Sequence, residues 1–169
     1  MANMQKINYL TKRVIGAAME VHSLLGPGYL ESAYEQALAI EFQSRKIPFE
    51  RQKVFNLDYK GECIGEGRMD FYVDYILVVE LKAVDTLLPV HAAQVISYLK
   101  AMDREVGLLL NFHTETFKKG IRRILNPDYR EEIRILREHG MQTWAAFTLG
   151  LDGDTVASIR ATEAFARRN

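Results

Sequence analysis

The sequence predicts a mixed β-sheet flanked by helices, an α/β or α+β fold. Apolar residues recur at helical spacing in two segments before residue 46, and strand-like patterns follow from residue 50. A third helical segment, 90–102, then stands between two apolar strands. The 169 residues suffice for one good core with a small appendage.

Taken in order, Ile7, Leu10, Val14, Ala17, Ala18, Val21, Leu24 and Leu25 mark a first helix over about 7–25. Leu25-Gly-Pro-Gly28 breaks it. A second helix runs from about Tyr29 to Lys46 on an apolar stripe of Leu30, Ala33, Tyr34, Ala37, Leu38 and Phe42, and Pro48 ends that element. Alternation over 50–59 predicts a strand, and Asp58-Tyr-Lys-Gly61 a turn into a short partner. Two further strands cover Met69 to Val73 and Ile76 to Val84. Pro89 suits the first turn of the helix Val90 to Met102. Glu105 to Phe112 is a compact apolar strand. The expected order is α-α-β-β-β-β-α-β, followed by a basic stretch, Phe117-Lys-Lys-Gly-Ile-Arg-Arg-Ile-Leu125. That stretch reads first as a solvated amphipathic face, and as a phosphate contact only if it lies beside Glu80.

Composition narrows the function classes. The net charge of zero argues against strong sequence-independent attraction to nucleic acid. No apolar run approaches the roughly 20 residues of a membrane span, so no membrane role is expected. A single cysteine, Cys63, excludes an internal disulfide or a multi-cysteine metal centre. With no secretory pattern at the start, the cytoplasm is the expected setting. Oligomeric state is left open, a homo-oligomer included.

One run stands out: Arg68-Met-Asp-Phe-Tyr-Val-Asp-Tyr-Ile-Leu-Val-Val-Glu-Leu-Lys-Ala-Val84. Side chains alternate in a strand, so Val78, Glu80 and Lys82 share one face, and Leu77, Val79, Leu81 and Ala83 the other. An acid and an ammonium are thus placed inside a sheet, where an uncompensated ion costs several kcal/mol. They compensate each other, or a metal and a phosphate do. Other polar groups point the same way. Glu31 lies at the edge of the second helix's apolar stripe, and Gln94 and Tyr98 lie with His91 on the face of the third helix that should cover the sheet. Each also has a bland reading: Glu31 a dipole-complementing acid, Asp70 a solvated edge residue, Glu80 and Lys82 a simple ion pair, Gln94 a backbone partner, Tyr98 a core ring with a wet hydroxyl. The acid-x-Lys triplet alone is weak, since Asp58-Tyr59-Lys60 has it too and is a hairpin turn.

What lifts Glu80-Leu81-Lys82 is its apolar strand, the acid ten residues upstream, and the Gln-x-x-x-Tyr helix downstream. This arrangement resembles the PD-(D/E)XK nuclease superfamily. Gly28-Tyr-Leu-Glu31-Ser-Ala-Tyr34 resembles the signature of the GxxExxY family within it, in a match running from about Leu25 to Leu125 through Ile47-Pro-Phe-Glu-Arg-Gln52, Pro89-Val-His-Ala-Ala-Gln94 and Gly107-Leu-Leu-Leu-Asn-Phe112. The resemblance implies a restriction-endonuclease-like mixed central sheet over residues 1–125. It implies Mg²⁺ or Mn²⁺ held by Glu31, Asp70 and Glu80, with Lys82 orienting a water or stabilising transition-state charge. Gln94 and Tyr98 would position nucleic acid or the carboxylates, and His91 is a secondary candidate. The implied substrate is nucleic acid, DNA ahead of RNA, cut at phosphodiester bonds. Met69 stands where the superfamily has a proline.

Asn126-Pro-Asp128 reads as a boundary. Residues 126–169 are expected to form an α-β-α appendage that carries Trp144 and resembles a fragment of a radical S-adenosylmethionine barrel, although Cys63 alone can hold no iron–sulfur cluster. Three readings follow: a metal-dependent nuclease; a non-catalytic module of the same fold that binds nucleic acid or a protein; and a small-molecule enzyme or scaffold.

Overall fold

The structure, a computed structural model, describes residues 2–129; both helices and the strand of the appendage expected over 126–169 lie outside them, but for Tyr129. Met1–Pro127 form one compact unit. Its elements are α1 (Ala2–Leu25), α2 (Glu31–Ser44), β1 (Phe49–Tyr59), β2 (Glu62–Val73), β3 (Leu77–Lys82), α3 (Pro89–Ala101), β4 (Val106–Asn111), the single helical turn α4 (Phe117–Gly120) and β5 (Ile121–Leu125), closed by a 3₁₀ turn at Pro127–Tyr129.

Two expectations change. The short strand after Gly61 and the strand through Met69 are one continuous β2, because its glycine-containing half keeps pairing with β1. The basic stretch, whose pattern predicts no element of its own, divides between α4 and β5, because Ile121 and Leu125 pair into the sheet beside β4; Phe117 and Ile121 are buried while Lys119 and Arg122 are exposed.

The strands lie side by side in chain order, β1 to β5. All neighbours are antiparallel except β3 and β4, which run parallel and are joined through α3. A parallel pair requires such a crossover, and it makes this a mixed sheet with helices on both faces. One face buries Phe71, Val79, Leu81, Leu108 and Leu110 against Val14, Ala18, Leu38 and Phe42 of α1 and α2. The other carries Val78 and Leu109 under Val95 and Leu99 of α3. Gly107 permits that contact: a Cβ there would lie 2.7 Å from Val95 Cγ1.

The sheet forks at Asp70. The β2–β3 ladder runs from Val73↔Leu77 to Phe71↔Val79 and stops. On the other side Gln52, opposite Asp70, adopts φ +52°, a left-handed conformation rare outside glycine. Past this kink the β1–β2 hairpin swings over α3, where Phe55 meets Tyr98 edge-on at 5.1 Å. The fork leaves Glu80 and Lys82 without a ladder partner on β2. That opening is where the polar groups collect.

Candidate active site

The loop Gly26-Pro-Gly28 fixes the start of α2. Gly26 and Gly28 take φ +66° and +113°, which a side chain resists. Tyr34, one turn into the helix, donates its hydroxyl proton to the Gly26 carbonyl at 2.6 Å and accepts the Tyr29 N–H at 3.1 Å. Its ring stacks on Phe112 at 4.5 Å. The tyrosine thereby ties the loop to the core and sets the first helical residue, Glu31, beside the end of β3. There the Glu31 carboxylate accepts a hydrogen bond from the Ala83 backbone.

On β3, Glu80 is buried and Lys82 is half-buried, with Nζ donating to Glu80 Oε1 at 2.6 Å. The other carboxylate oxygen, Oε2, is buried with no partner. Asp70 reaches across the fork: its Oδ2 accepts the Leu81 N–H at 2.8 Å and its Oδ1 the Gln52 amide at 3.2 Å. The same Gln52 amide donates to Glu35 Oε1 at 2.9 Å, and Arg51 Nε donates to that oxygen at 2.6 Å. A hydrogen-bonded line thus runs from Arg51 through Glu35 and Gln52 to Asp70.

Electrostatics separate this cluster from an ordinary ion pair. Burial, then the Asp70 charge, push the Glu80 carboxyl up to about 7 despite its bond to Lys82. Asp70 is raised by burial, against the help of the Leu81 N–H, and Glu31 is raised by burial and by Asp70. Burial works against the charged Lys82 ammonium, yet the Glu80 bond and the charges of Glu80, Glu31 and Asp70 raise it overall. Burial leads the shift of each acid, and repulsion among the carboxylates adds to it. Three carboxylates (Glu31, Asp70, Glu80) face one ammonium (Lys82), and Glu35, though paired with Arg51, still raises Asp70 and Glu31.

From α3, the Gln94 amide donates to the Tyr98 hydroxyl at 2.6 Å. The hydroxyl is raised by burial and feels the charges of Glu80, Lys82 and Asp70, so the pair belongs to the same cluster. His91 is occupied elsewhere, since its Nδ1 accepts the Leu88 N–H at 3.1 Å and caps the start of α3. Among the described residues no three acidic, histidine or cysteine side chains converge closely enough to hold a metal ion. Glu80 is turned to Lys82, and both oxygens of Asp70 are engaged.

Compared with known families, residues 8–124 match the model of the PD-(D/E)XK nuclease superfamily. The chain belongs to that superfamily. No curated protein and no solved structure shows significant similarity to it. In PD-(D/E)XK terms the chain presents Asp70, Glu80-Leu81-Lys82, and Met69 in place of the proline. Met69 is fully buried against Tyr98 and Phe55 under the hairpin, where an apolar side chain is what the packing needs. PD-(D/E)XK nucleases generally use divalent metals. Two members of the cluster, Glu35 and Gln52, escape sequence reasoning. Glu35 carries a signal, four residues after Glu31 and so on the same helix face; Gln52 lies in the Ile47–Gln52 run that the resemblance covers, but its role comes from the kink in β1.

Proposed function

We propose that this protein is a Mg²⁺- or Mn²⁺-dependent nuclease of the GxxExxY branch, hydrolysing phosphodiester bonds of nucleic acid, DNA ahead of RNA. The observation that carries the reading is Glu80 Oε2, buried without a partner beside the Asp70 and Glu31 carboxylates. A divalent cation would partner that oxygen and offset its acidic neighbours.

In kind, though not in their present spacing, the donors suit such an ion. Glu31, Asp70 and Glu80 supply only oxygen, as Mg²⁺ and Mn²⁺ prefer. Loading requires Glu80 to turn its carboxylate away from Lys82. A bound divalent ion supplies Lewis acidity and a water of lowered pKa. The chain's own residues do the rest. Lys82, held protonated by its acidic neighbours, donates to the attacking water or to a phosphoryl oxygen as charge develops there. Asp70 is held from behind by Gln52 and Leu81, so its orientation is fixed before substrate arrives. Gln94 orients the Tyr98 hydroxyl, which faces the same space and positions the strand.

The closed Glu80–Lys82 ion pair at 2.6 Å favours a second reading, a non-catalytic module binding nucleic acid or a protein partner. Cleavage of labelled single-stranded DNA, double-stranded DNA and RNA with Mg²⁺ or Mn²⁺, beside Glu80→Ala and Lys82→Ala, separates the two. The nuclease reading expects cleavage by the parent that both substitutions abolish. Folded protein that binds nucleic acid equally well with Glu80→Ala and with chelator, and never cuts, supports the module.

A further inference from the structure

A cleft of about 400 Å³ opens past the carboxyl ends of the parallel strands β3 and β4, between the loops that follow them. Such crevices are where open sheets with parallel strands take ligands. Asn111 holds its floor: its side chain accepts the Val84 N–H at 3.0 Å and donates to the Val84 carbonyl at 2.6 Å, stitching the two loops together. Lys119 of α4 and Arg122 of β5 form one wall.

The basic stretch divides sharply here. Arg123 turns to the opposite face, half-buried and bonded to Asn8 Oδ1 at 2.7 Å, so it is structural. Lys118 has interactions of its own. Arg122 is exposed, and its Nη1 is braced by the Lys119 and Ile121 carbonyls, both at 2.8 Å, which aims the guanidinium without neutralising it. Register places this cation relative to the acidic cluster. Glu80 pairs with Leu109 and Leu109 with Arg122, so Arg122 shares the Glu80 face two strands away, about 10 Å between backbones. Leu109, between them, is covered by α3, so the way from Lys82 to this cleft leads past the loops at the carboxyl ends of β3 and β4.

We propose that Lys119 and Arg122 hold a backbone phosphate flanking the scissile bond. The location rests on the nuclease reading; the recognition of phosphate does not. Two acids in the cleft moderate the site. Asp85 is turned onto His113 Nε2 at 3.1 Å, and Glu115 is exposed at the rim. They weaken attraction to phosphate, so neutralising Asp85 strengthens binding. A variant that merely disturbs the fold does not gain affinity.

The test is anisotropy of a fluorescein-labelled single-stranded DNA 12-mer, titrated with protein in chelator across a range of salt, for the parent, K119A/R122A and D85N. The double variant is expected to bind about tenfold or more weakly, with a log–log salt slope shallower by about 0.7, the value for one phosphate contact on a single strand. D85N is expected to bind more tightly. An unchanged slope in K119A/R122A, or no salt-dependent binding by the parent, overturns the proposal. The cleavage assay keeps the two readings apart. A parent that cuts, with K119A/R122A equal to it in KM, removes the flanking site and leaves the nuclease. A parent that never cuts but binds with this charge dependence leaves the phosphate site and removes the nuclease.

Discussion

The Asp70 carboxylate stands where a strand carbonyl would: its Oδ2 accepts the Leu81 N–H, at 2.8 Å, just beyond the point where the β2–β3 ladder ends. A side chain thus completes the ladder and is brought into the cluster by the same bond. Asp70→Asn keeps an acceptor for Leu81 and removes the charge, whereas Asp70→Ala leaves the N–H without a partner. Urea denaturation is expected to show Asp70→Ala less stable by about 1–3 kcal/mol and Asp70→Asn nearly unchanged. Both are expected to be inactive.

Glu80 makes the fold pH-dependent. Its carboxyl sits at about 7 in the folded chain against an ordinary 4.5, so the folded state binds that proton more tightly than the unfolded one. An acid raised by folding contributes stability below its unfolded pKa and loses it as pH rises through the folded value. For Glu80 the window is about 4.5 to 7, and the loss is about 3 kcal/mol. The shifts of Asp70 and Glu31 act in the same direction. In chelator, stability measured by denaturation is expected to fall across that window, and Glu80→Gln to flatten the fall. Mg²⁺ or Mn²⁺ should restore stability most at the high-pH end. A profile identical in parent and Glu80→Gln would remove Glu80 as its cause.

Gln52 is expected to act through Asp70. Its amide bridges Glu35 and Asp70, so Gln52→Ala frees the Asp70 carboxylate to turn. Losing a partner behind a metal ligand typically costs about 10–100-fold in affinity. Mn²⁺ affinity read by electron paramagnetic resonance should fall by that factor while circular dichroism stays native. Unchanged affinity would make the bridge purely structural.

Tyr34 is expected to matter through the loop it holds. Tyr34→Phe keeps the stacking on Phe112 and loses the bonds to Gly26 and Tyr29. The cost should be about 1–3 kcal/mol, with faster amide hydrogen exchange at Tyr29 and lowered activity, since Glu31 begins the helix that the loop delivers.

Most of the architecture was legible because it is periodic. The helical stripes of α1 and α2 and the apolar runs of β3 and β4 each report their own burial. The alternation that set Glu80 and Lys82 apart from Leu77, Val79 and Leu81 appears in the structure as two separate cores, one on each face. The continuity of β2 was hidden because its glycine-containing half has no apolar face and is held by the β1 ladder. The strand in the basic stretch was hidden because four charges in six residues mask two strand positions, Ile121 and Leu125. At the site, the residues with motif spacing were visible. Gln52 was not, because nothing local announces φ +52° at a glutamine; the fork demands it.

Calorimetric titration of Mn²⁺ into the chelator-treated protein at pH 7 tests most directly whether one divalent ion offsets the charge around Glu80. The expected result is one ion per chain, proton release on binding, and loss of binding in Glu80→Ala and Asp70→Ala. No saturable binding by the folded parent at millimolar Mn²⁺, or binding that both substitutions leave intact, would contradict it.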